Sequence, residues 1–292
     1  MTRSASTVWD GGSRSMAKKG QKLQRLDAEL VKRKIARSRE HAQDMIKGGR
    51  VSVNGMVATK PATGVTGEVS IKVTESDDDR WASRGAHKLI GALEAFEPLG
   101  LSVSNKTVLD AGASTGGFTD VCLDRGASRI AAVDVGYGQL IWRLQNNPRV
   151  DVFDRTNVRT LTPEILGGQM DMMVGDLSFI SIELVLPALA ECIAEGGDLL
   201  PMVKPQFEVG KDRLGSGGVV RSPELRAEVT LSVARAAMKY GLSTKAVVAS
   251  PLPGPSGNVE YFLWLVKDGG HEAPTEEQLC TMVETAVKEG PQ

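Results

Sequence analysis

The sequence predicts an α/β protein in two parts: a Rossmann-like, mostly parallel sheet ending in an antiparallel hairpin, behind a small N-terminal α+β unit. Three observations predict it. From Thr107 onward, short apolar segments alternate with stretches long enough for crossover helices, the pattern of an open parallel sheet. Ahead of that, residues 24–74 hold two short amphipathic helices and a few short alternating strands. Charge divides the chain in the same way. Residues 1–80 carry 16 Lys/Arg against 10 Asp/Glu and 81–292 carry 19 against 26, so a formal net charge of -1 covers a front of +6 and a remainder of -7.

The frame around these elements is ordinary. A length of 292 residues, 41% hydrophobic and 24% charged, suits a core-forming protein of about two domains and excludes collagenous, disordered and disulfide-scaffold classes. The best candidate for a membrane helix, 182–194, contains Glu183, Pro187 and Glu191 and is shorter than the roughly 18 apolar residues a span needs. The polar start, 1–20, lacks the apolar core of a signal peptide, so the sequence reads as cytoplasmic. Cys122, Cys192 and Cys280 have no metal-binding spacing, which predicts reduced thiols and no metal site.

Residues 1–23 read as a flexible leader, with Met16 a candidate native start. Leu26, Leu30, Val31 and Ile35 then recur at helical spacing, with Lys32, Arg33, Lys34 and Arg37 on the other face. Ser38 is placed to cap a second helix whose apolar side is Ala42, Met45 and Ile46 and which Gly48-Gly49 closes. Arg50–Gly55 alternates into an Asn-Gly turn, and strands are expected at Met56–Thr59 and Val69–Val73. The string Ser38-Arg39-x-x-Ala42-x-x-x-Ile46-x-x-Gly49-x-Val51-x-Val53-Asn54-Gly55 resembles the alpha-L RNA-binding motif of a small-subunit ribosomal protein and of pseudouridine synthases. That resemblance implies RNA phosphates held by Arg25, Lys32, Arg33, Arg37, Arg39, Lys47 and Arg50.

Residues 75–84, acidic and then Arg80-Trp81, form the linker to a domain over 85–270, with 271–292 a C-terminal helix or tail. Strands are predicted at Thr107–Ala111, Arg129–Val135, Val150–Phe153, Met170–Gly175 and Gly197–Val203. Helices are predicted at Gly117–Arg125, Ile180–Glu195 and Pro223–Tyr240. Leu242–Ala249 and Glu260–Val266, separated by a Pro/Gly-rich loop, make the terminal hairpin.

The first strand of the sheet ends in Asp110-Ala111-Gly112-Ala113-Ser114-Thr115-Gly116-Gly117-Phe118 and opens a helix, where backbone N–H groups can meet a nucleotide. Its glycines miss the dinucleotide spacing, and no Lys-Ser/Thr pair marks a phosphate-binding loop. Asp110 ahead of the loop suits a cation, and Asp134, 24 residues on, suits ribose hydroxyls. Together they point to S-adenosylmethionine. Asp176, Lys204 and Glu260 fall at the carboxyl ends or mouths of predicted strands, where open α/β sheets hold ligands, and Lys88 lies ahead of the sheet. Amines among carboxylates suit alkylation of a hydroxyl, whose oxygen must lose a proton while it attacks a methyl in line.

The glycine loop and the ordered Lys88, Asp176, Lys204, Glu260 resemble the ribose 2′-O-methyltransferases with a Lys-Asp-Lys-Glu tetrad. With the basic front unit, Ser83–Leu89, Asp176–Ser181, Lys204–Gly210 and Ser250–Phe262, the chain is similar to the TlyA family from about Arg25 to Val266. The resemblance implies a class I S-adenosylmethionine-dependent fold that methylates cytidine 2′-hydroxyls in 16S and 23S ribosomal RNA and sensitises ribosomes to capreomycin-type antibiotics. It implies Lys204 as central base with Lys88, Asp176 and Glu260 as partners. The cofactor would lie against Asp110, Gly112, Gly116, Gly117, Phe118, Asp134, Asp176 and Phe179. Where members carry Arg-x-Trp in the linker, Arg80 here directly precedes Trp81. The family's haemolysin-like name and a non-catalytic RNA-binding factor are the competing readings; nothing in the sequence demands more than a monomer.

Overall fold

The computed structural model describes residues 23–36, 38–74, 80–254, 256–267 and 273–291; the leader apart from Leu23, Arg37 and most of the acidic linker lie outside them. The chain divides into two compact units between Ser76 and Asp77.

In the front unit, β1 (Gln24–Arg25) leads into α1 (Leu26–Lys32), and α2 (Arg39–Lys47) follows. The Ser38 side chain accepts from the His41 N–H at 3.1 Å, capping α2 as its position predicts. A three-stranded sheet places β2 (Val51–Val53) between β3 (Met56–Val57) and β5 (Ile71–Val73), while β4 (Gly64–Val65) pairs with β1. The last strand starts two residues later than the apolar pattern suggests, and the β1–β4 pair has no signal in so short a stretch. Leu26, Leu30, Ala42, Met45, Ile46 and Val51 form the unit's own core.

The second unit starts earlier than expected: Trp81 and Ala82, assigned to the linker by sequence, are buried in it. Its elements are α3 (Gly85–Phe96), β6 (Thr107–Ala111), α4 (Gly117–Asp124), β7 (Arg129–Val133), α5 (Trp142–Gln145), β8 (Val150–Phe153), α6 (Pro163–Leu166) and β9 (Met170–Gly175). Then come α7 (Leu186–Cys192), β10 (Ile193–Val203), α8 (Pro205–Glu208), α9 (Pro223–Met238), β11 (Leu242–Ala249), β12 (Tyr261–Lys267) and α10 (Glu276–Glu289). The seven strands lie in the order β11-β12-β10-β9-β6-β7-β8, with β12 antiparallel to both neighbours and the other pairings parallel.

Alternation along β6 explains the layers: Leu109 and Ala111 join the core under α7, α9 and α10, and Val108 joins the core under α3 and α4. The chain order reverses between β6 and β9, which opens a crevice at their carboxyl ends. The largest difference from the sequence reading lies between β9 and β10. The long crossover helix expected over 180–195 is shorter, with Pro187 in its first turn, and β10 begins at Ile193. A register shift between Ile193 and Asp198 spans Gly196, at φ 74, and Gly197, a kink that periodicity cannot reveal. The C-terminal segment forms the helix offered for it, and α10 buries Leu279, Val283, Ala286 and Val287 against α9 and β11.

Candidate active site

Four charged residues that are far apart in sequence meet at the carboxyl edge of the sheet. Asp176 follows β9, and its N–H donates to the Ala111 carbonyl at 3.1 Å, which ties it to the end of β6. Lys204 follows β10. The β10–β12 register pairs Val203 with Tyr261, so Lys204 and Glu260 stand opposite each other one step further along. Lys88 enters from the first turn of α3 and is nearly enclosed.

They form two ion pairs: Lys88 Nζ to Glu260 Oε2 at 2.5 Å and Lys204 Nζ to Asp176 Oδ1 at 2.5 Å. Lys204 also donates to Ser178 Oγ at 2.7 Å, a partner the sequence reading missed although Asp-Leu-Ser offered it. Glu260 is 1% exposed, and its Oε1 has no hydrogen-bond partner among the described residues. A side chain at Gly254 would lie 2.5 Å from that oxygen, so the loop before β12 leaves room for it. Charges so enclosed persist because each has a counter-charge; removing one member leaves the other uncompensated.

Beside them lies the glycine loop. Gly112 takes φ +86, and a Cβ there would sit 3.0 Å from the Asp176 carbonyl oxygen, so the loop and the Asp176 segment approach as closely as backbone allows. Gly116 takes φ +103, and a side chain would collide with Leu140 and Leu144; Gly117 follows it and opens α4. Asp134 presents its carboxylate at the end of β7, accepting from Ser114 N–H at 2.8 Å and Gly136 N–H at 2.7 Å. Asp110 is fully buried and accepts from Thr119 Oγ1 at 2.6 Å, facing α4 from behind the loop. Burial pushes its carboxyl up to about 7, against the pull of the Thr119 bonds. Phe118, expected at the cofactor, is given to the core instead, its ring 5.9 Å from that of Phe262. Phe179, expected as a pocket wall, is 90% exposed at φ +64, with its ring 5.2 Å from Phe207.

The basic front unit divides its cations between structure and surface. Arg25 donates to both oxygens of buried Asp27 at 3.0 and 2.8 Å, and Arg39 and Gln43 donate to Oδ2 at 3.1 and 3.2 Å. The Arg25 guanidinium, helped by Arg39, holds the Asp27 carboxyl well below the usual carboxylate range. Arg33 turns inward, donating to Glu29 Oε1 and to the Val69 and Gly67 carbonyls at 2.8–2.9 Å, so it staples α1 to the segment before β5. Arg50 donates to the Thr74 carbonyl at 3.1 Å. Lys32 lies 3.7 Å from Glu29 with its head in solvent, and Lys47 is exposed at the end of α2. Arg37 falls outside the described residues.

Comparison with known proteins matches this architecture on both units. Residues 81–267 match the FtsJ-like methyltransferase family and residues 24–71 match the S4 domain. The chain is 54% identical over 267 residues to the 16S/23S rRNA (cytidine-2'-O)-methyltransferase TlyA of Mycobacterium tuberculosis, covering 91% of this chain and 98% of that protein. It is 34% identical over 239 residues to Hemolysin A of Brachyspira hyodysenteriae, covering 82% of this chain and 98% of the relative. A solved structure from Streptococcus thermophilus described as a hemolysin superposes with a TM-score of 0.72 at 36% identity, over 92% of this chain and 98% of the other. The chain therefore belongs to the FtsJ-like methyltransferase family, in its TlyA branch, with an S4 domain ahead of the methyltransferase.

Proposed function

We propose that this chain, as a cytoplasmic monomer, transfers the methyl group of S-adenosylmethionine to ribose 2′-hydroxyls of cytidines in 16S and 23S ribosomal RNA, and so affects sensitivity to capreomycin-type antibiotics. The observation that carries the reading is the pair of lysine–carboxylate contacts, buried Lys88–Glu260 and half-buried Lys204–Asp176, beside the glycine loop. The relatives' names support the substrate. The loop's own features suit the cofactor: Gly112 lets the loop lie directly against the Asp176 segment, and the Asp134 carboxylate, oriented by two backbone N–H groups, has lone pairs left for ribose hydroxyls. Gly116, Gly117 and Asp176 complete that wall, with Asp110 buried behind it. Bound S-adenosylmethionine supplies an electrophilic methyl group on a sulfonium.

The protein's residues handle the proton. The ribose hydroxyl gives its proton to the Lys204 amine, which must first have shed one, and Asp176 and Ser178 fix the direction in which that amine points. Glu260, held by Lys88, stands across the strand mouth, and its Oε1, without a partner among the described residues, can accept from the substrate. Lys204→Ala removes the base and leaves the glycine loop untouched. Its cofactor affinity should stay within about twofold while methyl transfer falls by roughly 10²–10⁴. Mapping ribose methylation on ribosomal RNA from cells with wild-type protein, with Lys204→Ala and without the protein checks this, and transfer retained by the variant would overturn the assignment.

The Brachyspira relative's name favours a second, membrane-lytic reading. Among the described residues no helix is long and apolar enough to cross a membrane. Lysis that persists in Lys204→Ala protein without cofactor would support it.

A further inference from the structure

Lys204 precedes and Glu208 ends a single helical turn, α8, and the two, four residues apart, both reach the same neighbour. That neighbour is the loop 176–182. Lys204 takes its near end through Asp176 and Ser178. Glu208 takes its far end: Oε2 accepts from Ser181 Oγ at 2.6 Å and Oε1 accepts from Ile182 N–H at 2.8 Å. Ser181 Oγ in turn accepts from the Glu183 N–H at 3.2 Å, which continues the chain of hydrogen bonds into the next turn. Between the two grips, Phe207 of α8 meets Phe179 of the loop. Phe179 holds φ +64, a conformation that strains a bulky residue and persists only where its surroundings fix it. Burial raises the Glu208 carboxyl, partly offset by the Ser181 and Ile182 bonds.

We propose that Glu208 is a positioning residue for methyl transfer, a carboxylate clamp that fixes loop 176–182 so that Asp176 and Ser178 stay on Lys204. The proposal rests on the reading of Lys204 as the base. It assigns Glu208 no contact with substrate or cofactor, only the placement of groups that have one. Loss of the clamp lets the loop drift, and an ångström of misplacement near reacting atoms costs up to about a hundredfold in rate.

The test is a double-mutant cycle on the full chain with Glu208→Gln and Ser181→Ala, read by single-turnover methyl transfer to ribosomal subunits and by direct cofactor binding. Each single variant should transfer roughly tenfold more slowly or worse, with cofactor affinity within about twofold of wild type. The double variant should be no slower than Glu208→Gln alone, because both changes break one clamp. Wild-type rates in either single variant, cofactor affinity falling in step with rate, or fully multiplicative losses would each overturn the proposal. If Glu208→Gln does not fold, Ser181→Ala decides alone in the same two directions. Wild-type protein that methylates no ribose would overturn the functional reading instead; amide exchange at Ile182 and Glu183 then judges the clamp, faster in Glu208→Gln if it exists and unchanged if it does not.

Discussion

Asp110 shows how one residue reports on the whole site. It is sealed between β6 and α4, has one short bond from Thr119, and its Oδ1 has no hydrogen-bond partner among the described residues. Its carboxyl, pushed up to about 7 by burial, titrates near 3.9 in an unfolded chain. Between those values the folded protein holds a proton that the unfolded chain has lost. Folding stability from this group is therefore greatest below about pH 4, declines as pH rises through that window, and is level above pH 7. Asp110→Asn cannot titrate, so its stability relative to wild type should be higher at pH 8 than at pH 5. Urea unfolding of both proteins at the two pH values measures this, and an equal difference at both would contradict it. A bound sulfonium nearby favours the ionised form, so wild-type cofactor affinity should strengthen from pH 6 to pH 8 while that of the variant stays flat.

At the scale of elements, a buried carboxylate can instead be kept charged by cations around it. In the front unit, α1 and α2 are joined by their shared apolar core and also by Asp27, whose carboxylate receives Arg25, Arg39 and Gln43. Asp27→Asn keeps the shape but leaves two guanidinium groups facing an amide, so the charge-assisted bonds that tie α2 to Asp27 are lost. Amides of α1 and α2 should exchange faster in the variant, while those of β6 and β9 should not change. Matched exchange in α1 and α2 would show that Asp27 carries no such weight. Asp27 also marks where sequence reading stops. Strands such as β6 and β9 were legible because an apolar run ending at glycine or aspartate has few other uses, and Lys204 stood out because a strand core ending in Lys-Pro gains nothing from packing that lysine. Arg33 and Phe118 sit in motifs equally well, yet each turns into the structure, since a motif fixes position along the chain and not the direction of the side chain. Ser178 was offered only by its place beside Asp176, and Glu208 had no such signal; the use of both depends on two loops from adjacent strands lying face to face.

At the scale of the molecule, the split of charge, +6 over 1–80 and -7 over 81–292, falls close to the division between the two units at Ser76. An anionic ribosome should therefore be held by the front unit and mildly repelled by the rest. The boundary matters for testing this, because residues 80–82 belong to the second unit's fabric: Asp120 accepts from the Ala82 N–H at 2.7 Å, Arg143 donates to the Arg80 carbonyl at 3.1 Å, and Trp81 is buried. Removing residues 1–76 leaves these contacts intact, so cofactor affinity and melting temperature of the methyltransferase unit should persist while binding to ribosomal subunits collapses. Removing residues 1–84 deletes the Trp81 packing as well, at a cost of about 3 kcal/mol or more, and should lower the melting temperature by several degrees. Full-length binding should weaken steeply with salt, the logarithm of the binding constant falling by roughly 0.7–0.9 for each phosphate engaged per tenfold rise in salt. If the protein lacking 1–76 binds subunits as tightly as the full chain at every salt concentration, the positive charge of the front unit has no role in recognition; a shallow slope would move recognition to uncharged contacts.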